Sequence, residues 1–230
     1  ISEVGSNQGQ NMRFPQTSGA IAQGVKQYAP MVEVATSTHW LMTNGQCKFE
    51  DQRTLTANMM LADSCFFDVF PQKIFVGKAK QALSQPLACL VDTDLAEKIG
   101  GNVVGKRFTN PNYPGITFTI AGVFDSFPWG ASLHGTKVIV SMCSLPRFFS
   151  FDGRRQWEGN DAYVSYIRLA NGHQPSELKP YVDKMCQDHH DQKELKQNGI
   201  TLTYDFTLLS EMYTHNSYIK MMGWILGIVA

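Results

Sequence analysis

Four short stretches of this sequence carry residue types that could do chemistry. Gly100-Gly-Asn-Val-Val-Gly105-Lys106 matches the G-x-x-x-x-G-K spacing of a phosphate-binding loop. Such a loop needs Ser or Thr next, to hold magnesium, and must open a helix whose first amides face the phosphates. Arg107 stands there instead, and the flanking pattern is helix before and strand after. Asp188-His189-His190-Asp191 is the densest group of metal-ligating types. Neighbours on a helix point about 100° apart, so this run does not converge on one ion, and an i, i+4 His pair is missing. Cys186 and His189 are spaced to share a helix face, where they read as part of a buried stripe. Asp63-Ser64-Cys65 lacks the glycine elbow of a nucleophile turn. The carboxylates Glu50, Asp51, Asp63, Asp68, Asp92, Asp94 and Asp125 are scattered, mostly at turns and helix starts where capping accounts for them. No residue is therefore assigned a catalytic, cofactor-binding or metal-binding role.

Composition narrows the classes further. Apolar residues are 43% of the 230 and charged residues 17%, enough for a packed core. Twenty basic side chains balance twenty acidic ones, without the basic excess of a nucleic-acid binder. Cys47, Cys65, Cys89, Cys143 and Cys186 are far apart and odd in number, unlike a zinc ribbon or a disulfide framework. The aromatics Phe66, Phe67, Phe70, Phe148, Phe149 and Phe151 read as core, with a partner surface as the alternative. From Met221 to Ala230 the chain is uncharged, with Trp224 near the start. A span needs about 20 apolar residues, so this run is either the beginning of a membrane helix or a last core helix.

The elements that would position these residues follow from periodicity. Thr17-Ser18 is expected to cap a helix running to about Ala29, stopped by Pro30. A strand over residues 31–42 should turn at Asn44-Gly45 into a meander of residues 46–50 and 53–61. Residues 62–70 form an aromatic helical turn. LACLVD is a strand, Asp92 or Thr93 caps the helix of residues 94–99, and Gly100 ends it. Strands VVGKRFT, ITFTIAGVF and TKVIVSM follow, then an irregular connection over 144–160. The last region reads strand–helix–strand, with Pro175 opening the helix, Leu178, Tyr181, Val182, Met185, Cys186 and His189 recurring at helical spacing, and Gly199 ending it.

One segment resembles a known family. Ala62, Asp63, Phe66, Phe67, Phe70 and Gly77 match its A-D-x-x-F-F-x-x-F run and the glycine that follows. Asp94 to Ile99 with Val104, Gly105 and Lys106 match its helix–turn–strand. Gly122, Val123, Asp125, Pro128, Ser132, Leu133 and His134 match its next strand and loop. In order and spacing these are similar to the extracytoplasmic core domain of MacB/FtsX-like ABC transporter permeases, most densely over 62–140. The resemblance implies an α+β fold with two subdomains, a discontinuous porter-like one (1–84 plus 152–218) and an inserted, mostly-β sabre-like one (85–151). It implies that 219–230 begin a membrane helix. It also implies a non-catalytic domain without cofactors, facing the periplasm at the bacterial inner membrane. That domain would couple ATP hydrolysis by a cytoplasmic ABC ATPase to export, or to a periplasmic adaptor protein. The full-length permease would be a homodimer or heterodimer and the fragment a monomer. A ligand-binding sensor domain is the alternative, and a secreted hydrolase a third reading.

Overall fold

The structure is a computed structural model and describes residues 1–7 and 10–211. Strands β1 (Ser2–Asn7) and β2 (Gln10–Phe14) form a hairpin. Helix α1 (Ile21–Tyr28) buries Ile21, Ala22, Gly24 and Val25. Its N-cap is Ala20, with no side-chain cap. The expected capping pair does other work. Ser18 Oγ donates to Asp161 Oδ1 (2.6 Å), and Thr17 Oγ1 shares a hydrogen with Ser165 Oγ (2.7 Å), which ties this segment to a distant strand.

Strand β3 (Val32–Phe49) runs straight through the expected Asn44-Gly45 turn. Leu41, Met42, Cys47 and Phe49 on both sides of that dipeptide belong to one core. A hairpin there would expose half of them, so the dipeptide is absorbed as a bulge instead, with register shifts between Trp40 and Gly45 and Asn44 at φ 49°. A Cβ at Gly45 would run into the Met42 side chain, which would have to shift. The chain reverses later, where Gln52 has φ 66° and Asp51 accepts the Arg53 N–H (3.1 Å). Strand β4 (Thr54–Ala62) then pairs antiparallel with β3.

Helix α2 (Phe66–Val69), edge strand β5 (Ile74–Gly77) and helix α3 (Ala79–Ala82) lead to the fully buried strand β6 (Ala88–Asp92). Helix α4 (Thr93–Ile99) is capped by the Asp92 carboxylate on the Leu95 N–H (2.9 Å) and ended by Gly100 at φ 72°, both as expected. Strand β7 is only Arg107–Thr109, because Gly105 at φ 88° and the Lys106–Val103 backbone bond make residues 103–106 a turn. Strands β8 (Thr117–Phe124), β9 (Thr136–Ser141) and β10 (Tyr163–Leu169) follow. Helix α5 (Lys179–His189) stops at His190, and Asp191 caps a separate α6 (Gln192–Gln197) by accepting from Lys193 and Glu194 N–H. The single helix expected up to Gly199 is thus two. Strand β11 (Ile200–Asp205) ends the regular structure of the described residues, apart from a 3₁₀ turn at Leu209–Glu211.

An eight-stranded mixed sheet has the order β10-β3-β4-β9-β6-β8-β5, with β7 joining β3 and β8. Pairs β4–β9 and β6–β8 are parallel and the rest antiparallel. A three-stranded sheet has the order β11-β1-β2. The closing strand–helix–strand therefore does not share one sheet: β10 pairs with β3 and β11 with β1. The fold is α+β with two subdomains. Ile21, Val25, Leu178, Val182 and Met185 join α1 to α5. A second core lies under the big sheet around Phe108, Phe118 and Val140. Phe66, Leu83, Leu90, Phe124, Phe127 and Ile139 make a third. Of the six aromatics expected in the core, Phe66 is buried, four pack against cores, and Phe151 is half exposed.

Candidate functional site

The chemistry-bearing stretches are each occupied structurally. In the glycine-rich turn, Gly105 N–H donates to the Ile120 carbonyl (2.8 Å) and Lys106 N–H to the Val103 carbonyl (3.1 Å). The Lys106 ammonium donates to the Gly100 carbonyl (2.8 Å). These two amides and the cation already face protein, and the loop connects a helix to a strand.

The Asp-His-His-Asp run does not converge as a set: Asp188 and His189 share the Tyr28 hydroxyl, while His190 and Asp191 have other partners. Asp188 accepts from the Tyr28 hydroxyl (2.9 Å) and Lys184 (3.1 Å). His189 stacks on Trp157, with centroids 3.6 Å apart and planes 7° from parallel. His190 Nδ1 meets Glu158 Oε1 (2.7 Å), and Asp191 caps α6. Cys186 is buried among α1 and α5 side chains, and burial pushes its thiol up to about 11. Asp63 accepts from Thr36 Oγ1 (2.7 Å) and from the N–H groups of Ser37 and Cys65 (2.9 Å each), which anchors the turn into α2. Asp92, beyond its capping bond, accepts from Ser126 Oγ (2.8 Å) and Lys137 Nζ (2.7 Å).

One carboxyl stands out that sequence reasoning missed. Glu3 on β1 is pushed up to about 7, first by burial and then by the nearby Asp161 carboxylate. Nothing in the local pattern marks it, because the β1–β11 sheet that covers it brings together residues about 200 apart. Its folded value lies above the ordinary 4.5, so the native state holds the proton more tightly than the unfolded chain. The contribution of Glu3 to stability is then greatest near the acid end and falls as pH rises from about 4.5 to about 7. Thermal melts across that window should show the fall, and Glu3→Gln should flatten it. An unchanged slope in the variant would rule Glu3 out as its source.

Two of the concavities among the described residues are large enough to take part of a partner. One, about 480 Å³, lies between β5 and the glycine turn and is lined by Phe75, Val76, Ala96, Val103 and Val123. The other, about 770 Å³, is an open groove where the two sheets meet, lined by β10, the 170–175 turn, both ends of the described chain and Leu178. Neither is lined by Glu3, Asp63, Asp92, Asp161 or His190. The titratable clusters and the cavities are in different places. All five cysteines are free thiols, and of them only Cys143 is exposed.

The class of protein described by these features is a two-part α+β module in which one part is closed by both ends of the chain. It belongs to the family of MacB-like periplasmic core domains, whose family model matches residues 3–184. Solved structures agree. A domain of a Porphyromonas gingivalis protein described as a permease is 28% identical, with a TM-score of 0.79 over 90% of this chain and 86% of that one. The periplasmic region of MacB from Actinobacillus actinomycetemcomitans has the same fold at 11% identity, with a TM-score of 0.57 and 87% of each chain covered. So does the extracellular domain of the noncanonic ABC-type transporter YknZ from Gram-positive bacteria, at 13% identity and a TM-score of 0.56, over 83% of this chain and 90% of that one. No protein of curated function matches the sequence. The run expected to begin a membrane helix, 219–230, lies outside the described residues, and among those described no helix is long and apolar enough to cross a membrane.

Proposed function

We propose that this chain is the non-catalytic, extracytoplasmic part of an ABC transporter permease at the inner membrane, and that it transmits movement. A cytoplasmic ATPase would bind and release nucleotide, the membrane helices would carry the change across, and this domain would move against a second permease subunit or an adaptor protein. Such coupling needs a body with two arrangements whose balance the nucleotide state shifts. In this reading residues 1–84 and 152–218 form the porter-like subdomain, residues 85–151 the sabre-like one, and 219–230 enter the membrane.

One observation carries the reading. Strands β1 and β11 pair antiparallel, with Ser2 opposite Asp205, so the two ends of the described chain leave the body side by side. A domain inserted between two membrane segments needs that geometry, whereas a secreted enzyme does not.

Cys143 supplies the test. It is the only exposed thiol among the five. In intact cells carrying the full-length protein, with the outer barrier made permeable, a membrane-impermeant maleimide should label Cys143. Cys143→Ser should remove the label. Labelling seen only after the inner membrane is broken would put the domain on the cytoplasmic side and end the proposal.

A further inference from the structure

The groove of about 770 Å³ runs along a strand edge that the big sheet leaves open. β10 is the last strand of that sheet, with β3 as its one sheet neighbour. Successive residues of a strand turn their N–H and C=O groups to alternate sides. Tyr163 exchanges two backbone bonds with Thr17 (2.8 and 3.2 Å), on the side away from β3. The Ser165 carbonyl, two residues on, accepts from the Ile1 amino group (2.9 Å), again away from β3. Ala170, of opposite parity, donates to Met31 just before β3. The same period turns the N–H and C=O of Ile167 outward into the groove, where no backbone or side-chain partner among the described residues meets them.

The surroundings say what fits beside that edge. Ile167, Leu169, Phe206 and Leu208 make the groove apolar, and no Asp or Glu lines it, although Arg13, Arg168 and His173 do. Arg168 is already held by Glu33 (3.1 Å) and His173 by Glu177 (2.8 Å). Arg13 bonds Thr207 Oγ1, but its carboxylate neighbour, Asp205, is 3.9 Å away, so it is the most loosely paired of the three. An acyl chain would bury the Ile167 donor and acceptor unpaired, at the full desolvation cost of both groups. A second copy offering its own β10 would bring arginines against arginines. An extended peptide satisfies the edge and fills the apolar walls.

We propose that the open edge of β10 binds an extended segment of a partner protein as an added strand, its apolar side chains alternating along the groove and an acidic side chain meeting Arg13. This goes beyond the transmission reading and stands or falls without it, because the test reads peptide binding and the Cys143 test reads sidedness.

Random peptides of about ten residues are displayed on phage and selected against the 230-residue chain; the winners are synthesised with a fluorescent label and titrated by anisotropy. Winners should alternate apolar residues and carry Asp or Glu. Ile167→Pro removes the groove-facing N–H and leaves the β3 ladder intact, since β10 gives β3 its even-numbered residues. It should weaken binding about tenfold, the equivalent of one hydrogen bond. Arg13→Gln should weaken it about fivefold. Methylating alternate amides of the peptide should abolish binding in one phase and spare it in the other, a readout that needs no variant protein. Failure to select any peptide overturns the proposal. So does equal tolerance of methylation in both phases, or binding indifferent to Arg13→Gln. A concentration-dependent dimer abolished by Ile167→Pro would make a second copy the occupant, which also overturns it.

Discussion

Phe66→Ala is expected to lower the stability of this chain by about 4 kcal/mol, within the range for a phenylalanine deleted from a core that cannot collapse. Phe66 is 0% exposed. Its ring lies 5.1 Å from Phe67, 5.0 Å from Phe70 and 6.3 Å from Phe127, in edge-to-face and tilted contacts. Backbone from several strands fixes the surrounding walls, because Leu90, Phe124 and Ile139 of the same core sit on β6, β8 and β9. The consequence bears on the proposed function. This core joins residues from both proposed subdomains, Met60, Ala62, Phe66 and Leu83 on one side and Leu90, Phe124, Phe127 and Ile139 on the other. A domain that transmits movement as a rigid body needs that seam packed. Urea titration of the variant should show a midpoint shift, together with loss of a single cooperative transition if the two parts come apart. A loss below about 1 kcal/mol, the scale of an ordinary surface change, would mean that the seam is not packed as described.

The second large effect is expected at Asp92, which is 1% exposed. Its carboxylate caps α4 and takes hydrogen bonds from Ser126 and from Lys137, whose side chain is 24% exposed. Losing an N-cap costs about 1 kcal/mol, and removing one partner of a buried pair costs about 3–5 kcal/mol when the other charge is stranded. Lys137 would not be stranded, because Asp94 also holds it, at 2.5 Å. Asp92→Ala should therefore cost about 3 kcal/mol, below the sum of the two effects. A double-mutant cycle with Lys137→Met separates them: the coupling energy should be about 1 kcal/mol or more, with the remainder belonging to the cap and to Ser126. Additive single effects would mean that Asp92 acts through the cap and Ser126 and not through Lys137.

Much of this was legible locally. The stop at Pro30, the Asp92 cap, the Gly100 stop and the buried strand ending at Asp92 need only the chemistry of a few neighbouring residues, and the structure has all four. The failures share one cause. Asn44-Gly45 is a strong turn signal, yet the core that holds Leu41, Met42, Cys47 and Phe49 keeps β3 running through it. Thr17 and Ser18 are good caps, yet Ser165 and Asp161, about 150 residues away, take their hydroxyls. In both cases a distant contact outweighs a local preference worth about 1 kcal/mol.

The sequence by itself determined the element types, the balanced charge and the ordered motifs over 62–140 that mark the family, because each depends on residues close together in the chain. Only the tertiary structure decided that both ends of the described chain leave together through β1 and β11, that Glu3 is half-buried near Asp161, and that the β10 edge at Ile167 has no partner among the described residues. Pairing between strands about 200 residues apart leaves no period in the sequence. It is set by which apolar faces close one core together, and that is a property of the whole chain.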